Sequence, residues 1–282
     1  MTKKFDPSWL DSMYNNRVLV PDFAVHLRRW AAASAEAMRS LPRELDVRYG
    51  GGPSEHLDIY PAAQADAPVL FFIHGGYWRA LDKRDHAFIA PAFTREGVCV
   101  VIPNYALCPA VTVPQITMQM VQALAWTWRH IARHGGDPRR ITVAGHSAGG
   151  HLAALLQACL WPVFGRDLPA DLVRNSLSIS GLHNLEPIMH TPFLKDLALT
   201  AEQVRKASPA LLPAPAQGVL AAVAGGDESA EFHRQCLLMR QAWGERSVPV
   251  CEILPGLNHF SVLEALIEPG HRLNRIALEL LG

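Results

Sequence analysis

The feature that most restricts the fold is a series of short, unbroken apolar runs. Val69-Leu-Phe-Phe-Ile73, Val98-Cys-Val-Val-Ile102, Ile141-Thr-Val-Ala144 and Val219-Leu-Ala-Ala-Val-Ala224 lack the polar alternation of a half-exposed strand. Such runs predict strands buried on both faces, which a parallel sheet requires. Between them lie helix-compatible stretches at 83–96, 114–134, 148–160 and 229–243. Strand–helix alternation predicts βαβ units with right-handed crossovers. A further strand is expected at Leu177–Ser180, a last one near 248–254 and a closing helix near 263–281. Residues 184–213 are rich in Pro and Leu, break the alternation and read as a small inserted cap.

Ahead of this core, residues 22–41 read as an amphipathic helix. Asp22 can cap it, and Phe23, Leu27, Ala31, Ala35, Met38 and Leu41 recur at helical spacing before Pro42. Leu45–Tyr49 and Glu55–Tyr60 alternate around Gly50-Gly-Gly-Pro-Ser54, which predicts an antiparallel hairpin. At 282 residues the chain is expected to form one α/β domain, with 1–41 as an N-terminal helical segment and 184–213 as the cap.

Charge narrows the function. Lys+Arg and Asp+Glu both number 26, so the basic excess of a nucleic-acid binder is missing. No stretch reaches the roughly 20 apolar residues of a membrane span. Two lysines near the N-terminus have no apolar segment behind them, so no secretory leader is expected. Cys99, Cys108, Cys159, Cys236 and Cys251 are odd in number, scattered and without a CxxC pair. Free thiols in a reducing cytoplasm are the expectation, rather than a disulfide framework or a cysteine zinc site.

The sharpest chemical signal is Gly145-His-Ser147-Ala-Gly149, set directly after an apolar strand and directly before a helical run. A G-x-S-x-G turn in that context lifts a serine hydroxyl above a sheet, with helix N–H groups behind it. A serine needs a base to take its proton, and the base needs an orienting acid. One recurrent chain order is Ser…Asp/Glu…His. Asp227 follows strand 219–224 through Gly225-Gly226, and His259 follows the last predicted strand. Both fall at carboxyl ends of strands, where open α/β sheets hold their sites. Asp227 is the expected acid because it comes first after the turn, with Glu228 as its immediate rival. Its alternative role is a cap for helix 229–243.

His74-Gly75-Gly76-Tyr77-Trp78 follows the first buried strand. A tetrahedral oxyanion needs fixed N–H donors, and a glycine pair lets the backbone approach it. Gly75, Gly76 and Ala148 are the expected donors, with Tyr77 as a further one. Tyr77, Trp78, Tyr105 and Phe260 are candidate substrate contacts, and Phe193 of the cap is another neighbour; each is equally compatible with core packing. Trp30, Trp126 and Trp128 read as packing residues. His130 and His134 share a helical spacing, but without HExxH or a third ligand they read as a solvated face rather than a zinc site. His146 and His151 flank the serine as supporting residues. No nucleotide-binding glycine motif occurs.

These residues together resemble the α/β-hydrolase superfamily, in the branch with an HGG oxyanion loop. His74-Gly-Gly-Tyr-Trp78 is similar to the HGGxW loop of kynurenine formamidases (arylformamidases), a loop that general carboxylesterases also carry. Tyr14-Asn-Asn-Arg17, Val20-Pro-Asp22 and Ala224-Gly-Gly-Asp-Glu-Ser229 look similar to formamidase-like bacterial hydrolases. Asn104-Tyr-Ala-Leu-Cys-Pro109 stands where esterases of the branch carry a YRLAP-type segment. The resemblance implies a mostly parallel sheet with helices on both faces and a Ser147–Asp227–His259 triad. It implies cleavage of a small acyl group from an arylformamide or aryl ester, with no metal or organic cofactor. A short-chain carboxylesterase is the alternative, and a non-catalytic ligand-binding relative the more remote one. A small-molecule substrate is expected, with no nucleic-acid or membrane partner; monomer and homodimer both stay open.

Overall fold

Alternate residues of the strand Ala67–Ile73 enter two different cores. Val69, Phe71 and Ile73 join one apolar cluster and Leu70 and Phe72 another, each at most 1% exposed. Burial on both faces is why this run carries no polar alternation. The structure, a computed structural model, describes residues 5–282; Met1–Lys4, which carry part of the leader expectation, lie outside them.

Eight strands form one sheet: Glu44–Arg48 (β1), His56–Tyr60 (β2), Ala67–Ile73 (β3), Cys99–Pro103 (β4), Gly136–His146 (β5), Asn175–Ile179 (β6), Val219–Gly225 (β7) and Val250–Leu254 (β8). Their order is β1-β2-β4-β3-β5-β6-β7-β8. β1 pairs antiparallel with β2 and β2 with β4, while every pairing from β4 to β8 is parallel. The expected hairpin and mostly parallel sheet are therefore present.

The N-terminal segment holds more helix than periodicity suggested. Pro7–Tyr14 (α1) starts where the Asp6 carboxylate accepts the Trp9 N–H, with Pro7 at the first turn. Asn16–Leu19 (α2) follows, then Phe23–Ser40 (α3), in which Asp22 makes no side-chain cap. The stretch 83–96 is a 3₁₀ segment, Lys83–Ile89, running into Ala90–Thr94 (α4). Val113–His130 (α5) opens with a reciprocal Thr112–Gln115 cap. Ala148–Gln157 (α6) and Trp161–Phe164 (α7) follow β5.

Segment 184–213 contains Glu186–Met189 (α8), Ala201–Ala207 (α9) and two 3₁₀ turns. His151 of α6 donates to the Ala207 carbonyl at 2.6 Å and ties this segment to the sheet layer. After Ala230–Ser247 (α10), the expected closing helix is two, Ser261–Ile267 (α11) and Arg272–Leu281 (α12). Pro269-Gly270 divides them, with Gly270 at φ 80°. α5 and α6 cover the face carrying Val69 and Phe71; α3, α4, α11 and α12 cover the other. The five cysteines are free, and the Cys236 and Cys251 sulfurs lie 4.0 Å apart. Among the described residues no helix is long and apolar enough to cross a membrane.

Candidate active site

Ser147 stands at the joint between β5 and α6 with φ 56° and ψ −117°. An L-residue in that region stores on the order of 1–3 kcal/mol, which the surroundings must hold in place. The Ser147 N–H donates to the Ile179 carbonyl at 2.8 Å, and its carbonyl accepts from His151 N–H at 3.1 Å. Gly149 lets the turn pack onto β3, since a Cβ there would lie 2.0 Å from the Ile73 carbonyl oxygen. The result is a serine that is 2% exposed and lines a cavity of about 550 Å³.

His259 lines the same cavity. Its loop is shaped by Asn258, whose Oδ1 accepts the N–H groups of Phe260 and Ser261, both at 2.9 Å. His146 Nε2 donates to the His259 carbonyl at 2.8 Å, so the residue before the serine fixes the histidine backbone. Burial holds the His146 pKa well below the ordinary histidine value, with His259 adding to the effect, and this keeps His146 a neutral donor. Phe232 and His146 flank the His259 ring, each with centroids 4.6 Å away.

The acid that meets His259 is Glu228 and not Asp227. His259 Nδ1 lies 2.7 Å from Glu228 Oε2, while Glu228 Oε1 accepts from Ser180 Oγ at 2.5 Å and from Gly225 N–H at 2.6 Å. The turn after β7 decides between the two carboxylates. Gly226 N–H donates to Leu254 O and Asp227 N–H to Leu257 O, which leaves Asp227 exposed and turns the next side chain inward. With Nδ1–H given to the carboxylate, Nε2 is the nitrogen free to accept a proton.

The loop after β3 is held from its carbonyl side. Tyr105 donates its hydroxyl to His74 O at 2.9 Å and Gly75 O at 3.2 Å, and its ring stacks on His74 with centroids 4.2 Å apart. His74 Nδ1 also donates to Gly75 O at 2.8 Å. Gly76 takes φ 104°, where a Cβ would lie 2.1 Å from Ala80 O. Gly75 lies directly against the serine, since a Cβ on it would be 3.2 Å from Ser147 Cβ. Ala148, first residue of α6, contributes an N–H with no acceptor in the helix.

Of the expected substrate contacts, Tyr77 and Phe260 line the cavity, as does Phe193. Trp78 and Tyr105 do not. Trp78 is fully buried edge-on to His151, and Tyr105 spends its hydroxyl on the loop carbonyls, so both are structural. Conversely Trp30, read as packing, lines the cavity while also stacking on Phe88. Asn15, Asn16 and Arg17 of the N-terminal segment line it too, as do Arg79 and Asp196, which pair at 2.5 Å. Periodicity could not expose these residues; the Tyr14–Arg17 likeness was a signal for Asn15, Asn16 and Arg17 alone. His130 packs on Trp126 and His134 pairs with Glu44 at 2.6 Å. Among the described residues no group of three or more His, Cys, Asp or Glu side chains could hold a metal ion.

A mostly parallel sheet bearing a serine on a strained strand–helix turn, with a carboxylate-bonded histidine in the same cavity, defines an α/β-hydrolase of the serine hydrolase class. Comparison with known proteins agrees. The BD-FAE family model matches residues 57–160. The chain is 26% identical to a kynurenine formamidase from Salmo salar, over 100% of this chain and 96% of that one. It is 40% identical to esterase LipQ from Mycobacterium tuberculosis, over 56% of this chain and 41% of that one. Among solved structures it is similar to a Silicibacter protein described as a candidate thioesterase. The two share 29% identity at a TM-score of 0.85, over 95% of this chain and 98% of that one.

Proposed function

We propose that the enzyme removes small acyl groups from arylformamides or aryl esters, in the manner of an arylformamidase, with Ser147, His259 and Glu228 as its triad. One observation carries the reading: Ser147 and His259 border a single cavity while Glu228 is hydrogen-bonded to the far nitrogen of the imidazole. His259 Nε2 takes the Ser147 proton as Oγ attacks the carbonyl carbon. Glu228 keeps the imidazole in the required tautomer and stabilises its charged form. The N–H groups of Gly75, Gly76 and Ala148 receive the oxyanion, where losing one such donor typically costs about 10²–10³ in rate. Collapse breaks the bond to the leaving amine or phenol, which His259 protonates. Water, deprotonated by His259, then attacks the acyl-serine and releases formate or a short carboxylate.

The length of the kynurenine formamidase similarity favours a formamide, and the local esterase similarity favours an ester. Free cysteines suit work in the cytoplasm. The test compares kcat/KM on N-formylkynurenine with a series of p-nitrophenyl esters of increasing acyl length, beside Ser147→Ala. A preference for the formamide that the variant abolishes supports the arylformamidase reading. Activity confined to short esters makes the enzyme a carboxylesterase, and turnover that survives Ser147→Ala overturns the triad.

A further inference from the structure

The cavity around Ser147 has an uncompensated positive charge and an unused amide, side by side in the chain. Asn16 is 5% exposed, lines the cavity, and its Nδ2 is buried with no hydrogen-bond partner. Exchanging the amide oxygen and nitrogen does not remove the anomaly, because the buried position then holds an equally unpartnered oxygen. A buried amide without a partner costs about 1–3 kcal/mol unless something else bonds it. Arg17 lines the same cavity. Its guanidinium contacts only the Phe23 ring, 5.5 Å away, and meets no carboxylate among the described residues. The other formal charges on the wall are Arg79 and Asp196, which neutralise each other at 2.5 Å.

The strip is held rigidly from both sides of the site. Tyr77 donates its hydroxyl to Tyr14 O at 2.6 Å, and Ser229 donates to Met13 O at 2.5 Å. Tyr14 in turn donates to Glu231 at 2.6 Å. These bonds fix Asn16 and Arg17 relative to the serine loop and the acid loop without using either side chain.

We infer that Asn16 and Arg17 form a subsite for an anionic substituent, a carboxylate, on the part of the substrate remote from the scissile bond. The inference rests on the hydrolase reading above and adds a charge preference to it. A guanidinium fork and an amide N–H match the two oxygens of a carboxylate, whereas a neutral carboxamide offers one uncharged acceptor oxygen and so a weaker match.

The probes are para-acetoxyphenylpropanoate and its propanamide, whose side chains are insulated from the phenol and so share one leaving-group reactivity. The unmodified enzyme is expected to favour the anion in kcat/KM by about tenfold at low salt, a preference that added salt reduces because Arg17 is exposed. Arg17→Gln should bring the anion-to-amide ratio of kcat/KM close to one, whatever it does to the two absolute values. Asn16→Asp, whose carboxylate offsets the Arg17 charge, should abolish the preference, and Arg17→Lys should keep part of it. Equal turnover of both probes by the unmodified enzyme, or an unchanged preference in Arg17→Gln, overturns the subsite while leaving the triad standing. Ser147-independent turnover, or none of either probe, overturns the hydrolase reading and the subsite with it.

Discussion

The phenol of Tyr77 donates to the main-chain carbonyl of Tyr14 at 2.6 Å, which joins the loop beside Ser147 to the N-terminal helical segment. Tyr77 sits at φ 51° and Trp78 at φ 56°, so this stretch is strained and needs outside restraint. Tyr77→Phe removes the restraint and strands the Tyr14 carbonyl. The expected result is a loss of about 1 kcal/mol in stability. Because loop and strip move together, kcat/KM should fall by about tenfold through both kcat and KM. Thermal unfolding and steady-state kinetics on one aryl ester check it, and unchanged kinetics would show that the loop holds its shape unaided.

The two adjacent acids should separate cleanly. Glu228→Gln keeps the shape of the side chain but removes the charge that holds the His259 tautomer, and kcat should fall by roughly 10³–10⁴. Asp227→Asn alters an exposed side chain and should leave kcat within about twofold. Measuring both variants on the same substrate decides the assignment; a larger loss in Asp227→Asn would restore the first carboxylate.

This pair also marks where the sequence stopped being informative. Burial on both faces made the parallel strands legible, and G-x-S-x-G with its flanking strand and helix located Ser147. The choice between Asp227 and Glu228 depended on one turn, closed by Gly226 and Asp227 N–H groups reaching Leu254 and Leu257, residues distant in sequence. The same holds for the cavity wall. Trp30 has ordinary helix-core spacing, and nothing local states that its helix borders the serine. Tyr105 and Trp78 were plausible contacts by proximity, and tertiary hydrogen bonding and burial took them away.

Lys83 is fully buried and reaches Asp58 at 2.5 Å and Asp46 at 2.9 Å, pinning the 3₁₀ segment after the loop to the hairpin. Lys83→Met would leave Asp58, 1% exposed, as an unpaired buried charge. Breaking one side of such a pair costs about 3–5 kcal/mol, whereas removing both charges is far less costly. Denaturant unfolding should therefore show Lys83→Met strongly destabilised and Lys83→Met combined with Asp58→Asn largely recovered. Equal damage in both would assign the loss to packing.

Acid should unfold the protein well above the usual carboxylate range, because several histidines are buried neutral. Burial lowers the pKa values of His86 and His151 to about 3 and of His183 to about 4. An unfolded chain takes up these protons near the ordinary value of about 6.5, so between there and the folded values the unfolded state binds more protons. The stabilisation is complete above about pH 6.5 and declines as pH falls, by up to about 1.4 kcal/mol per pH unit for each histidine. The decline continues until the folded values near 3 to 4 are reached. His183 is the most direct probe, since its ring holds Ser178 Oγ at 2.9 Å and Gln235 O at 2.9 Å, away from the cavity lining. Replacing it with Gln should cost stability at pH 7.5 yet flatten the slope between pH 6.5 and 4.5 by about one proton, read from urea unfolding at each pH. An unaltered slope would mean that His183 stays accessible to protons in the folded state.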